Sequence, residues 1–252
     1  MQIVCFPRVY SLILEIHIQL WVWINSKLLS VITVETKNFS QALLKIKDKP
    51  IEEIFLTSVV AKNILSQVKK SLTKLISAKI IEIKSSSKLL NVTNGYDSPG
   101  KLGSDRWVSI VGLFSLYKKP LYIVDCGTAI SIDCVNDKGS HIGGFILSGT
   151  KGYSRSFVDA NNLKKIKLSN LQCSLKFKPA KTTEKAISGG YVLMVISAIE
   201  KSYNDFSKQI GENPILVISG GYGEFISKQL SIRNKYIPNL AVKCLGLISD
   251  RL

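Results

Sequence analysis

Two patterns in this 252-residue chain could carry chemistry. One is Asp-Cys-Gly-Thr at residues 125–128, an acidic residue that is followed closely by glycine and threonine. Gly127 allows close approach of the backbone to an anion, and the amides of Gly127 and Thr128 could donate to phosphate oxygens. The Thr128 hydroxyl adds a third donor. Asp125 cannot bind phosphate directly because like charges repel, so its expected role is to hold a bridging cation. A simple strand-ending turn is the competing interpretation.

A second pattern, Gly-Ser-Asp-Arg at residues 103–106, pairs an acid with a base at the predicted start of a helix. The helix dipole favours Asp105 as an anion, and Arg106 could reach a carboxylate or phosphate. This arrangement suits a base that accepts a hydroxyl proton while the arginine holds an acidic substrate. The alternative is an ordinary acid in the first turn with a surface neighbour.

The elements that must position these residues alternate between strands and helices. Period-2 and apolar patterns predict strands, and apolar spacing of three to four residues predicts helices. The predicted strands cover residues 10–24, 27–35, 54–60, 121–125, 129–135, 143–147 and 214–219, and the predicted helices cover residues 39–46, 62–77, 105–117 and 185–207. The alternation defines an α/β protein. A break near Pro120 predicts two domains, residues 1–117 and 118–252.

Glycine clusters follow two of the predicted strands, at Gly143-Gly144 with Gly149 and at Gly220-Gly221. Each cluster could be a turn alone. The second follows Ser219 and would also suit a flat wall against an adenine or ribose.

Composition narrows the class of partner. The net charge is +16, but the basic residues are mostly scattered lysines, which indicates a solvated surface and no nucleic-acid partner. The five cysteines form no Cys-x-x-Cys pair, which suits a reducing cytoplasm. The apolar stretch at residues 10–24 is too short and too polar to cross a bilayer, so no membrane association is expected.

The order of the motifs resembles one family, the type III pantothenate kinases, including the Bvg accessory factor branch. The resemblance runs from about Asn94 to the C-terminus. The residues that carry it are Asn94-Gly95-Tyr96, Pro99, Leu102-Gly103-Ser104-Asp105-Arg106-Trp107, Asp125-Cys126-Gly127-Thr128-Ala129, Asp133, Gly143-Gly144, Gly149, Thr183, Ala186-Ile187 and Ser219-Gly220-Gly221.

This resemblance implies two ribonuclease-H-like domains of the superfamily of acetate and sugar kinases, heat-shock chaperones and actin. It implies ATP-dependent phosphorylation of pantothenate, the first step of coenzyme A synthesis, by a cytoplasmic homodimer that uses magnesium. Asp105 is the implied general base, Asp125 the ligand of potassium or ammonium, and Thr128 with Gly127 the ATP contacts. The implied pantothenate site comprises Tyr96, Gly103, Ser104, Asp105, Arg106 and Thr183.

One family feature is absent from the sequence. Members carry Asp-x-Gly-Asn-Thr-x-x-Lys on the first strand and hairpin, which falls here on residues 13–20 without gaps or on residues 15–22 with Trp23 as anchor. Neither window contains glycine, threonine or lysine, and Glu15 is the only acid. Bulky Ile and Leu residues cannot supply the backbone amides that glycine exposes.

Three explanations of this mismatch are open. The protein could be a catalytically impaired homologue that acts as a binding or regulatory factor, or Glu15 could substitute for the missing acid in a weak kinase. The third explanation is a frameshift over roughly the first 20 residues. The abrupt return of family-like sequence after Trp21 favours the frameshift.

Overall fold

The computed structural model divides the chain into two units, which are described separately below. It describes residues 5–6, 9–14, 17–24, 27–35, 53–59, 61–75, 77–157 and 179–252, and up to residue 35 it describes the backbone alone. Unit 1 comprises Met1–Lys118 and Leu240–Leu252, and unit 2 comprises Lys119–Asn239. The first division lies within one residue of the predicted one, but the last helix belongs to unit 1 and not, as predicted, to the C-terminal domain.

Unit 1 is a mixed sheet with helices. Its described elements are β1 (Cys5–Phe6), β2 (Val9–Leu14), β3 (His17–Ile24), β4 (Lys27–Glu35), β5 (Glu53–Ser58), α1 (Lys62–Leu75), β6 (Lys79–Glu82), β7 (Lys88–Leu89), β8 (Val92–Thr93), a 3-10 helix (Pro99–Lys101), α2 (Ser104–Tyr117) and, at the end of the chain, α6 (Leu240–Ser249). The main sheet has the order β4-β3-β2-β5-β6, with β1 also paired to β2. Strands β2, β3 and β4 are antiparallel neighbours, whereas β5 and β6 run parallel to β2.

The single strand predicted over residues 10–24 is two strands, β2 and β3, which pair as a hairpin. Apolar alternation continues across both strands, and no Gly, Pro or Asn marks a turn between them. The pattern therefore could not reveal the break. The helix predicted at residues 39–46 lies outside the described residues.

Helix α2 is the buried element of unit 1. Trp107, Val108, Ile110 and Val111 are fully buried, so the helix is apolar on most of its circumference, as expected for a helix inside a core. It packs directly on α6, where a Cβ on Gly112 would lie 2.4 Å from the Cβ of Cys244. This close approach fixes α2, which carries Asp105 in its first turn.

Unit 2 repeats the strand order of unit 1. Its described elements are β9 (Leu121–Cys126), β10 (Ala129–Val135), β11 (His141–Ser148), α3 (Thr150–Arg155), α4 (Thr183–Ile210), β12 (Ile215–Ser219), α5 (Gly223–Gln229) and β13 (Asn234–Tyr236). The sheet order is β11-β10-β9-β12-β13, with an antiparallel meander followed by two parallel strands. Tyr191, Val192 and Val195 of α4 pack with β9, β10 and β12 in one apolar core.

Candidate active site

The carboxylate of Asp105 lies in the first turn of α2. Gly103 precedes the helix without a side-chain cap, and the backbone amide of Arg106 donates to Asp105 Oδ1 at 2.8 Å. A Cβ on Gly103 would stand 2.7 Å from that same oxygen. Glycine at residue 103 therefore leaves room for this orientation of the carboxylate, whereas its φ of −56° would be accessible to any residue. The positive end of the helix dipole favours the charged form of Asp105.

Arg106 and Tyr96 meet across the loop that precedes α2. Arg106 Nη1 donates to the Tyr96 hydroxyl at 3.0 Å, and its guanidinium carbon lies 5.7 Å from the centre of the tyrosine ring. The ring thus limits where the guanidinium can lie, through a hydrogen bond and a cation–π contact. Both side chains are only half-buried, so they remain accessible to a ligand. The pair thus places a positively charged guanidinium next in sequence to Asp105.

The turn between β9 and β10 holds the second group of predicted residues. Asp125 lies near the end of β9, opposite Ser131 of β10 and Ser219 of β12. The Gly127 amide donates to the Ala129 carbonyl at 3.0 Å, so it is engaged within the turn and does not face outward as the sequence suggested. Thr128 is exposed at the tip. The donors presented to a phosphate are therefore expected from Thr128.

Gly149 and Gly220 lie in close contact with the backbone of the β9–β10 turn. A Cβ on Gly149 would lie 2.2 Å from the Thr128 carbonyl oxygen, and one on Gly220 would lie 2.5 Å from the backbone of Cys126. Gly220 also has a φ of +88°, which L side chains rarely adopt. The Tyr222 amide donates to the Cys126 carbonyl at 3.2 Å. The sequence predicted turns at these glycines. Their position directly after strand ends was the signal that could have indicated a close backbone contact.

Cys126, inside the turn, is not a nucleophile. Burial, with a smaller contribution from the charge of Asp125, raises the pKa of its thiol to about 12. A neutral, buried thiol has little reactivity at neutral pH. Cys126 therefore fills space beneath the turn, with Ile130 and Tyr191 in the same core.

The predicted site residues fall into two groups, one in each unit. Unit 1 brings together Tyr96 and the stretch 103–106, and unit 2 brings together Asp125, Gly127 and Thr128. Thr183, predicted to contact pantothenate, is exposed at the start of α4 in unit 2. Glu15, the predicted substitute acid, lies outside the described residues.

Because the two units have the same strand order, the β9–β10 hairpin of unit 2 indicates where the Asp-x-Gly-Asn-Thr-x-x-Lys loop would lie in unit 1. In unit 2 the hairpin pairs Cys126 with Ile130, and in unit 1 it pairs Leu14 with Ile18, again four residues apart. Ile13 therefore corresponds to Asp125 in the hairpin. This register favours residues 13–20 over residues 15–22 as the loop position, and it places an apolar residue where the second unit has its acid.

Within the described ranges, no cluster of three His, Cys, Asp or Glu side chains could hold a metal ion. No described helix is long and apolar enough to span a bilayer. The oxygen of a single carboxylate, as at Asp125, is nonetheless the type of ligand that hard cations prefer.

Solved structures place the fold in a known class. The chain is similar to a protein described as a Baf family transcriptional activator from Campylobacter jejuni, with a TM-score of 0.63, 20% identity and coverage of 99% of this chain and 98% of that one. It is similar to a glucokinase from an Antarctic psychrotroph with a TM-score of 0.51, 10% identity and coverage of 97% and 99%. The molecule therefore shares the α/β fold of these two proteins, in agreement with the α/β class that the sequence predicted.

Sequence comparison identifies the family within that class. The sequence model described as type III pantothenate kinase matches residues 23–205. A type III pantothenate kinase of Idiomarina loihiensis is 30% identical over 198 residues, 77% of this chain and 75% of that protein. One of Cellvibrio japonicus is 29% identical over 161 residues, 63% of this chain and 62% of that protein. The chain belongs to the type III pantothenate kinase family.

Two such relatives are matched over less than two thirds of their own length. The alignments span 62% of the Cellvibrio protein and 59% of a type III pantothenate kinase from Methylibium petroleiphilum, which is 31% identical. The family match begins at Trp23 in β3, after both windows, residues 13–20 and 15–22, in which the phosphate loop was expected.

Proposed function

We propose that this protein transfers a phosphoryl group from ATP to the hydroxyl of pantothenate, giving 4'-phosphopantothenate. Family membership supports this reaction. The observation that carries it is the arrangement at the start of α2, where the Asp105 carboxylate is oriented by the Arg106 amide beside the Arg106–Tyr96 pair. A carboxylate next to a cationic anchor suits a substrate with a hydroxyl at one end and a carboxylate at the other.

The side chains of unit 1 would bind and activate pantothenate. Arg106 would bind the pantothenate carboxylate, with Tyr96 fixing the guanidinium and Ser104 lining the site. Asp105 would accept the proton of the attacking hydroxyl, so the alkoxide need not form in free solution. Thr183 is proposed as a further pantothenate contact.

The turn of unit 2 would serve the nucleotide. Thr128 would donate to ATP, and Gly127 would contact it without its amide, which is engaged within the turn. Asp125 would hold a monovalent cation, potassium or ammonium. A cation held by Asp125, together with magnesium on ATP, would neutralise phosphate charge. The close backbone contacts of Gly149 and Gly220 support a turn whose shape is fixed before the nucleotide arrives. Because the reaction consumes ATP, we place it in the cytoplasm.

Replacing the base tests the assignment directly. We expect Asp105→Asn to lower kcat for pantothenate phosphorylation by at least about 100-fold, the usual range for loss of a general base. The measurement is ATP- and potassium-dependent product formation. Asp97→Asn is the matched control, since Asp97 is an exposed acid in the loop before α2, and it should retain near-normal activity. Equal activity of Asp105→Asn and Asp97→Asn would contradict the assignment.

The hairpin of unit 1 calls for a second comparison. A chain with Asp-x-Gly-Asn-Thr-x-x-Lys restored at residues 13–20 should phosphorylate pantothenate faster than the chain as it stands, because backbone amides and a lysine would then meet the phosphates. If the unaltered chain binds pantothenate without turnover and the restored chain turns over, the residues described above are competent and the defect lies in the hairpin. If neither chain turns over at saturating ATP, the protein is not a kinase and acts by binding.

We also propose a homodimer, with β11 at its interface. Among the described strands β11 pairs only with β10, so it is an edge of the unit 2 sheet. Phe145 and Ile146 are 55% and 63% exposed. Because neighbouring residues of a strand point to opposite faces, β11 exposes an apolar side chain on each face of the sheet. An exposed apolar edge strand favours association with another chain.

Sedimentation velocity tests this interface. We expect Ile146→Lys to shift the protein from dimer to monomer, because a buried lysine at an apolar interface is costly. Leu116→Lys is the control, since Leu116 is a similarly exposed apolar residue on α2. A dimer that survives Ile146→Lys, or a monomeric wild type, would contradict the proposal.

A further inference from the structure

Asn94 is the point where the loop carrying Tyr96 is attached to the rest of unit 1. It follows β8 directly and is only 8% exposed, which is low for a residue with a polar side chain. Its backbone amide donates to the Ser87 carbonyl at 2.9 Å. Asn94 is thus buried, and the hydrogen bond of its backbone amide fixes the point from which its side chain extends.

The amide nitrogen of the Asn94 side chain gathers two separate chain segments. Nδ2 lies 3.1 Å from Ser85 Oγ, 3.1 Å from the Ser86 carbonyl and 3.3 Å from the Pro99 carbonyl. Ser85 Oγ also donates to the Pro99 carbonyl at 2.8 Å. The segment that follows β6 is thereby tied to the 3-10 helix that leads into α2.

The oxygen of the same side chain sets the position of Tyr96. Asn94 Oδ1 accepts a hydrogen bond from the Tyr96 backbone amide at 3.0 Å, which closes an Asx turn. The Tyr96 hydroxyl in turn accepts from Arg106 Nη1 at 3.0 Å. A continuous path of hydrogen bonds therefore runs from Asn94 through Tyr96 to Arg106.

We propose that Asn94 is a positioning residue, which aims Tyr96 at Arg106 and thereby sets the pantothenate-binding guanidinium. The proposal depends on the function assigned above to Arg106. A carboxamide presents two N–H donors and an acceptor oxygen on one short planar group, and Asn94 uses both its nitrogen and its oxygen. Asn94 itself does not contact the substrate.

Kinetic constants distinguish this role from a general structural one. We expect Asn94→Ala to raise the KM for pantothenate about tenfold and to leave the KM for ATP within about twofold, because only substrate anchoring is disturbed. Ser85→Ala is the matched control, since it removes one acceptor of the Asn94 side-chain amide but keeps the hydrogen bond between Asn94 and Tyr96. It should change the pantothenate KM by less than about threefold. Equal rises in both KM values for Asn94→Ala would overturn the proposal.

A double substitution tests whether the effect passes through Tyr96. In a Tyr96→Phe background, which lacks the hydroxyl acceptor for Arg106, Asn94→Ala should add less than about threefold to the pantothenate KM, since residues in one network are not additive. A full tenfold addition in that background would mean that Asn94 acts by another route, and the proposal would fail.

Hydrogen exchange tests the positioning without any reference to catalysis. The Tyr96 amide should exchange at least about tenfold faster in Asn94→Ala than in the wild type, while α2 keeps its protection. Unchanged exchange at Tyr96 overturns the proposal. If exchange responds as expected but the wild type neither binds nor phosphorylates pantothenate, the positioning of Tyr96 by Asn94 is supported and the proposed function is wrong.

Discussion

Space around one carboxylate oxygen determines how Asp105 is oriented at the start of α2. Asp105 Oδ1 occupies the volume that a side chain on residue 103 would need, and the Arg106 amide holds it there. The sequence motif therefore has a steric reason: glycine is needed for the orientation of the neighbouring acid, and not for an unusual backbone angle. In the proposed reaction, an acid oriented in this way would accept a proton without further reorganisation.

We expect Gly103→Ala to lower kcat for pantothenate about tenfold or more while the melting temperature changes little, because the mobile carboxylate, and not the backbone, must move away. Steady-state kinetics with a thermal melt would measure both. Gly100→Ala is the control in the same loop, since nothing lies within 4 Å of its Cβ position. A Gly103→Ala enzyme with normal kcat would show that the orientation of Asp105 is unimportant.

Backbone contacts between elements shape the β9–β10 turn. Gly149 at the start of α3 and Gly220 at the end of β12 both approach its backbone more closely than any side chain would permit. The turn is thus held on two sides by elements distant in sequence. Its Asp-Cys-Gly-Thr pattern alone could not indicate these contacts or the engagement of the Gly127 amide.

Gly220→Ala should destabilise the protein by at least about 2 kcal/mol, because both a positive φ and a clash with rigid backbone oppose the new side chain. Chemical denaturation would measure the free energy of unfolding. Gly221→Ala is the adjacent control, with nothing within 4 Å of the added Cβ, and should change that energy by less than about 0.5 kcal/mol. Similar losses in the two variants would show that the contact with Cys126 is unimportant.

Across the whole molecule, buried thiols link stability to alkaline pH. Burial raises the pKa of Cys126 and of Cys134 from 9.0 to about 12. Both thiols stay neutral in the folded protein at a pH where they ionise in the unfolded chain. Their contribution to stability is complete below pH 9 and is lost as the pH rises from there toward 12.

At pH 10 each of these thiols should lower the free energy of unfolding by about 1.4 kcal/mol relative to pH 8, the value of one pKa unit. Urea denaturation at both pH values would measure the change. Cys134→Ala should show a smaller pH-dependent loss than the wild type, whatever its stability at pH 8. Identical losses in the two proteins would exclude Cys134 as a source of the effect.

Much of the local structure followed from sequence pattern. The β4 and β10 strands match their predicted limits, and α2 and α4 begin within two residues of prediction, because apolar periodicity and the breaker Pro120 are local signals. The predicted strand over residues 10–24 was wrong as a single element, since a hairpin without turn residues leaves no such signal. The ordered set of motifs from Asn94 to Gly221 also sufficed to indicate the family.

Residue types and their spacing determined the class, the family and the candidate chemical groups, because these depend on motifs read along the chain. Tertiary structure alone decided which of the candidate site side chains are oriented, and which hydrogen bonds and backbone contacts orient them. Asn94 reaches Ser85, Tyr96 and Pro99 through contacts that close only when the loop folds. The placement of α6 with unit 1 was decided in the same way. The α6 contacts join residues far apart in sequence, and the Asn94 contacts depend on the folded shape of the loop although their partners are near in sequence, so no sequence pattern records either.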